Sequence, residues 1–122
     1  MPIPLRVLIL EDRADDAKLM IHELRRAGFE PQWQRVETQE DYRAALDSTP
    51  DMILADYSLP QFDALRALHL LQEHELDIPF IVVTGSISEE VAVAMMKGGA
   101  SDYLLKDRLT RLGPAVTNVL EQ

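Results

Sequence analysis

Glu11 and Asp12, Asp56, Thr84 and Lys106 each stand directly after a short apolar run. Brought together, the three carboxylates would repel one another. Two unit charges about 4 Å apart interact by about 4 kcal/mol at an effective dielectric near 20. Such a group either takes up a proton or holds a cation, and oxygen donors without cysteine or histidine favour a hard ion. Mg²⁺ suits it, because it accepts a few carboxylates and keeps waters and a substrate oxygen. Calcium would want more ligands and an EF-type loop, and the sequence shows neither. Lys106 adds a mobile point charge for a phosphoryl oxygen, and Thr84 a hydroxyl donor. Together with a carboxylate nucleophile these groups describe phosphoryl transfer onto aspartate, driven by positioning and charge neutralisation. Each residue also has a plainer role: Asp56 starting a turn before Pro60, Glu11-Asp12 capping a helix, Thr84 as an ordinary strand threonine.

The elements that must position them alternate along the chain. Leu5 to Leu10 reads as a buried strand. Ala17, Met20, Ile21, Leu24 and Ala27 follow at helical spacing, stopped by Gly28. A more polar strand around Pro31 to Val36 suits an edge position. Thr38-Gln39-Glu40-Asp41 resembles a capping box and opens a helix that buries Tyr42, Ala45 and Leu46. Asp51 to Asp56 is a strand apolar enough to be covered on both faces. Leu65, Leu68 and Leu71 mark a third helix, and Phe80 to Val83 a fourth strand delivering Thr84 and Gly85. Ser86 or Ser88 caps a fourth helix carrying Val91, Ala94 and Met95 before Gly98-Gly99. Asp102 to Leu105 is a short fifth strand. Leu109, Leu112, Val116, Val119 and Leu120 share one face of a last helix, whose regular part starts late because Pro114 fits a first turn. Five βα units predict a parallel sheet covered by helices on both sides, so all the polar strand ends emerge on one edge.

At 122 residues with 47% apolar content, the chain is long enough for one two-sided core. The absence of cysteine removes disulfides, thiol catalysis and Cys-based zinc sites, and fits a reducing cytosol. A formal charge of −9 argues against direct nucleic-acid or anionic-membrane binding and favours a cation or a basic protein face. The opening residues lack the pattern of a signal peptide, and no apolar run reaches the length of a membrane span. His22, His69 and His74 lack ligand spacing and read as helix-surface or packing residues; Met95-Met96 reads as adaptable core.

In order and spacing, the acidic pair Glu11-Asp12, Asp56 with Leu59-Pro60 after it, Thr84, and Gly99-Ala100-x-Asp102-Tyr103-Leu104-x-Lys106 resemble receiver domains of two-component response regulators, the family of the chemotaxis regulator. The resemblance spans residues 5 to 121. It implies a flavodoxin-like, doubly wound α/β fold with strand order 2-1-3-4-5 and five helices, as one receiver domain over residues 1–122. It implies that Asp56 accepts a phosphoryl group from a phosphohistidine on a histidine kinase or phosphotransfer protein. Asp12, Asp56 and the carbonyl of Ser58 would then ligate Mg²⁺, with Glu11 acting through water. Lys106 would pair with the phosphoryl group and Thr84 would move toward it. Tyr103 would repack in step, altering the face made by the fourth helix, fifth strand and fifth helix as a population shift. Ser58 and Ser86 would tune phosphoryl lifetime. The implied protein is a cytoplasmic signalling switch acting on an effector domain or protein. Its only catalysis would be its own phosphotransfer and autodephosphorylation.

Three departures stand out against the family pattern. Asp107 follows Lys106 where proline is usual; a cis bond without proline costs about 3–4 kcal/mol, so a trans bond and a different loop are expected. Ala64 replaces the glycine usual after the Leu-Pro turn, and Glu11 replaces the commoner aspartate. The sequence leaves open a phosphorylation-independent docking or dimerisation module, a homodimer, and a piece of a longer multidomain protein. An enzyme on the same sheet fits less well. An Asp-nucleophile phosphatase would want a second acid where Ser58 stands, and a flavin phosphate would meet an acidic first loop.

Overall fold

The computed structural model describes residues 2–57, 59–60, 62–85 and 89–121. Five strands, β1 (Ile3–Leu10), β2 (Phe29–Val36), β3 (Met52–Ala55), β4 (Phe80–Thr84) and β5 (Asp102–Leu105), form one parallel sheet in the order β2-β1-β3-β4-β5. The connecting helices are α1 (Ala14–Arg26), α2 (Gln39–Leu46), α3 (Ala64–Glu73) and α4 (Glu89–Lys97), with α5 (Leu112–Leu120) last.

Alternation along each strand divides the core in two. Leu8 and Leu10, Ile53 and Ala55, and Phe80 and Val82 face the layer holding buried residues of α2, α3 and α4. Val7 and Ile9, Met52 and Leu54, and Ile81 and Val83 face the layer of α1 and α5. The central strands carry apolar side chains on both faces because both faces are covered. Polar β2, expected at the rim, is one of the two edge strands. Pro31 sits within it, opposite Leu5.

Helix starts follow local chemistry. Thr38 Oγ1 accepts from the Asp41 amide at 3.2 Å, as the capping pattern predicted. Asp63 Oδ1 accepts from the Arg66 amide at 2.8 Å, and buried Ala64 is the first residue of α3. Alanine suits that position because the backbone there is helical, not left-handed. The expected cap at Ser86 or Ser88 lies outside the described residues.

Several details differ from the sequence reading. In α4 the buried stripe is Ala92 and Met95; Ala94 is exposed and Val91 half-buried. Met96 is exposed, so only Met95 serves the core. Ala27 is exposed at the end of α1, where it ends the helix instead of filling the core. A 3-10 helix over Lys106–Arg111 precedes α5, broken at Arg108 (φ −124°, ψ 40°). Half-buried Leu109 therefore lies before α5, and Leu120, at its end, is exposed. Pro114 falls in the first turn of α5, as anticipated.

Candidate functional site at the carboxyl edge of the sheet

Strand register gathers the polar residues. Leu10 pairs with Ala55, and Ala55 with Val82, so Glu11 and Asp56 leave neighbouring strands at one level. The Asp56 amide donates to the Leu10 carbonyl at 2.9 Å and the Glu11 amide to Val36 at 3.1 Å, holding both strand exits. Thr84 pairs with Leu105, which places Lys106 immediately beyond it. Thr84 and Glu11 are fully buried and Asp56 nearly so, while Asp12 is exposed.

One carboxylate oxygen from each of Glu11, Asp12 and Asp56 lies within 4.8 Å of the other two. Lys106 Nζ enters this group, 3.0 Å from Asp56 Oδ2 and 2.8 Å from Glu11 Oε2. It also donates to Asp16 Oδ2 at 2.7 Å. Glu11 Oε1 accepts from the Arg13 amide at 3.0 Å, and the Glu11 carbonyl accepts from Arg35 at 3.1 Å. Glu11 Oε2 makes an ion pair with Lys106 but accepts no aligned hydrogen bond.

Burial raises the Glu11 carboxyl to about 7, against the opposing pull of Lys106 and the Arg13 amide; the Asp56 charge pushes it the same way as burial. For Lys106, burial works against the ammonium, but the carboxylates of Asp16, Glu11 and Asp56 around it outweigh burial and hold its pKa above the ordinary range. Four carboxylates surround or adjoin one ammonium, so the crevice remains anionic. The donor set is oxygen only, and the buried Glu11 Oε2, 2.8 Å from Lys106 Nζ, accepts no aligned hydrogen bond. These residues fit a hard divalent cation.

Every predicted site residue in the described part of the chain lies at or beside this edge, except Tyr103. Tyr103 is 38% exposed on β5, opposite Val82 and three positions before Lys106. Ser58 lies outside the described residues. The Lys106–Asp107 bond is trans, since no described peptide bond is cis, and Asp107 lies in the first turn of the 3-10 helix, exposed to solvent. The three histidines are all exposed. Sequence reasoning missed Asp16. The available signal was its spacing: it lies one helical turn beyond Asp12, so the start of α1 carries it back over the same crevice.

The family that the chain matches is one of signalling domains rather than classical enzymes. Residues 7–116 match the response regulator receiver domain family, and the chain belongs to it. Among its relatives, the transcriptional regulatory protein PrrA of Mycobacterium tuberculosis is 33% identical over 101 residues, spanning 83% of this chain and 43% of PrrA. The phosphate regulon transcriptional regulatory protein PhoB of Klebsiella pneumoniae is 35% identical over 107 residues, spanning 83% of this chain and 44% of PhoB. The chain thus spans less than half the length of these relatives. A putative response regulator from Chloroflexus aurantiacus superposes with a TM-score of 0.85 at 26% identity, covering 98% of this chain and 99% of that one. The signal receiver domain of the putative regulator NarL of M. tuberculosis gives 0.84 at 19% identity, covering 98% of each chain. Receiver domains serve two-component signalling and generally bind Mg²⁺. Among the described residues no helix is long and apolar enough to cross a membrane.

Proposed function

We propose that the chain is a phosphoacceptor switch in which Asp56 takes a phosphoryl group from a phosphohistidine. The observation that carries this reading is the meeting of Lys106 with Asp56, at 3.0 Å, inside a cluster that Glu11 and Asp12 complete. A carboxylate oxygen of Asp56 attacks phosphorus, the P–N bond to the donor imidazole breaks, and the imidazole leaves. Return to the resting state is hydrolysis: water attacks phosphorus and Asp56 leaves as carboxylate with inorganic phosphate as product.

Asp12 and Asp56 would hold Mg²⁺, with Glu11 acting through water, and the ion would neutralise phosphoryl charge. Ser58, which lies outside the described residues, would add its carbonyl to that set. Asp56, rigid at a strand exit, needs little reorganisation to present its oxygen. Lys106 offsets negative charge on the phosphoryl oxygens as they arrive. Thr84, buried at the end of β4, offers a hydroxyl donor to the same group. Its movement is coupled to Tyr103, half-way out of the sheet edge, and through it to the face of α4, β5 and α5. The donor is a histidine kinase or phosphotransfer protein, and the recipient an effector domain or protein. A protein of this kind works in the cytoplasm.

The test is labelling with a radioactive acyl phosphate in Mg²⁺. Asp56→Asn should abolish it, and chelation should suppress it in the native chain. Undiminished labelling of Asp56→Asn would move the acceptor elsewhere and defeat the reading.

A further inference from the structure

Lys106 Nζ donates hydrogen bonds to Asp16 at 2.7 Å and Asp56 at 3.0 Å and lies 2.8 Å from Glu11 without an aligned bond. A phosphoryl oxygen arriving at Asp56 therefore competes with these carboxylates for the ammonium. Glu11 is poorly placed to yield. It is fully buried, with Oε1 tied to the Arg13 amide and its carbonyl tied to Arg35. Asp56 is where the incoming group attaches. Asp16 differs from both, since its side chain is 23% exposed at the rim and Arg13 Nε already lies 3.5 Å from the same Oδ2 that Lys106 holds.

We propose that Asp16 is a positioning residue that holds Lys106 over Asp56 in the resting site and competes with an incoming phosphoryl oxygen for its ammonium, passing to Arg13 when Lys106 is drawn away. The inference rests on the reading of Asp56 as acceptor. Its charge also sets the sign of the effect. A carboxylate at the crevice mouth disfavours an anion there and favours a cation, so neutralising it moves the two affinities in opposite directions. A residue that merely supports the fold would move both the same way or neither.

The experiment is calorimetric titration of beryllofluoride, an anionic mimic of the phosphoryl group, into the Mg²⁺-loaded chain, with Mg²⁺ alone titrated in parallel. Asp16→Asn should bind beryllofluoride about threefold to tenfold more tightly, the scale of one partly exposed ion pair, and bind Mg²⁺ more weakly. Asp16→Glu should return the native value. Exposed Asp15, on the same helical turn, controls for net charge, and Asp15→Asn should change beryllofluoride affinity less than about twofold. Beryllofluoride affinity in Asp16→Asn equal to that in Asp15→Asn, or weaker than native, would overturn the role of Asp16 while leaving Asp56 as acceptor. Native chain that binds no beryllofluoride in Mg²⁺ would overturn both together.

Discussion

Lys106 and Asp56, fifty residues apart in the chain, meet at 3.0 Å because parallel register brings the ends of β3 and β5 to one edge. The ammonium is the site's own counter-charge. Lys106→Met should destabilise the metal-free chain by about 2–3 kcal/mol, since it leaves buried Glu11 and Asp56 without their cation. Saturating Mg²⁺ should recover part of the loss. Urea unfolding with and without Mg²⁺ checks this, and a metal-independent difference of zero would count against the electrostatic account.

Stability in chelator should depend on pH through Glu11. Its folded carboxyl is raised to about 7 from an ordinary 4.5, so between those values the folded state holds a proton that the unfolded chain has released. Its contribution is therefore present at acid pH and lost as pH rises through that window. Glu11→Gln should flatten this part of the profile. Lys106 acts further out: its pKa is raised, so its contribution persists through neutral pH and is lost only under strongly alkaline conditions. Urea midpoints across pH 5–8 in chelator decide the matter, and identical slopes for native and Glu11→Gln would refute the assignment.

Gly113 is fixed by a neighbour. A Cβ there would lie 2.7 Å from the Ala27 side chain, where α5 passes the end of α1. Gly113→Ala should cost about 1–3 kcal/mol. Ala27→Gly in the same chain should return part of it, a coupling that thermal unfolding of the four-member mutant cycle would reveal. Simple additivity would show that the close approach is not responsible.

Thr49 adopts φ +46°, a left-handed conformation that a β-branched residue tolerates badly. Its carbonyl accepts from the Arg6 guanidinium, which also bonds Ser48, and this clasp holds the turn between α2 and β3 in place. Thr49→Asn should stabilise the fold by about 0.5–1 kcal/mol, because asparagine enters this region more readily. A lowered urea midpoint would contradict it.

The architecture was legible because both physical signals were strong. Runs such as Met52 to Ala55 are apolar without alternation, which demands cover on both faces, and they alternate with helical spacing. Once the sheet is parallel, Glu11, Asp56, Thr84 and Lys106 must share an edge. Asp16 was hidden because an aspartate in the first turn of a helix is already accounted for by the helix dipole. Only the path of Lys106 across the crevice gives it a second role. The inner face of α4 was misread because Ala92 and Ala94 are alike in chemistry, so periodicity had nothing to separate them. The start of α5 was only partly legible, since Arg108 breaks the turn without a glycine or proline of its own.

Reductive trapping offers the most direct measurement. Borohydride cleaves an acyl phosphate and converts that aspartate to homoserine, which mass spectrometry locates by residue. After reaction with a phosphodonor in Mg²⁺, homoserine should appear at position 56 and vanish when Mg²⁺ is chelated. Conversion at Asp12, Asp16 or another carboxylate with position 56 intact would contradict the account.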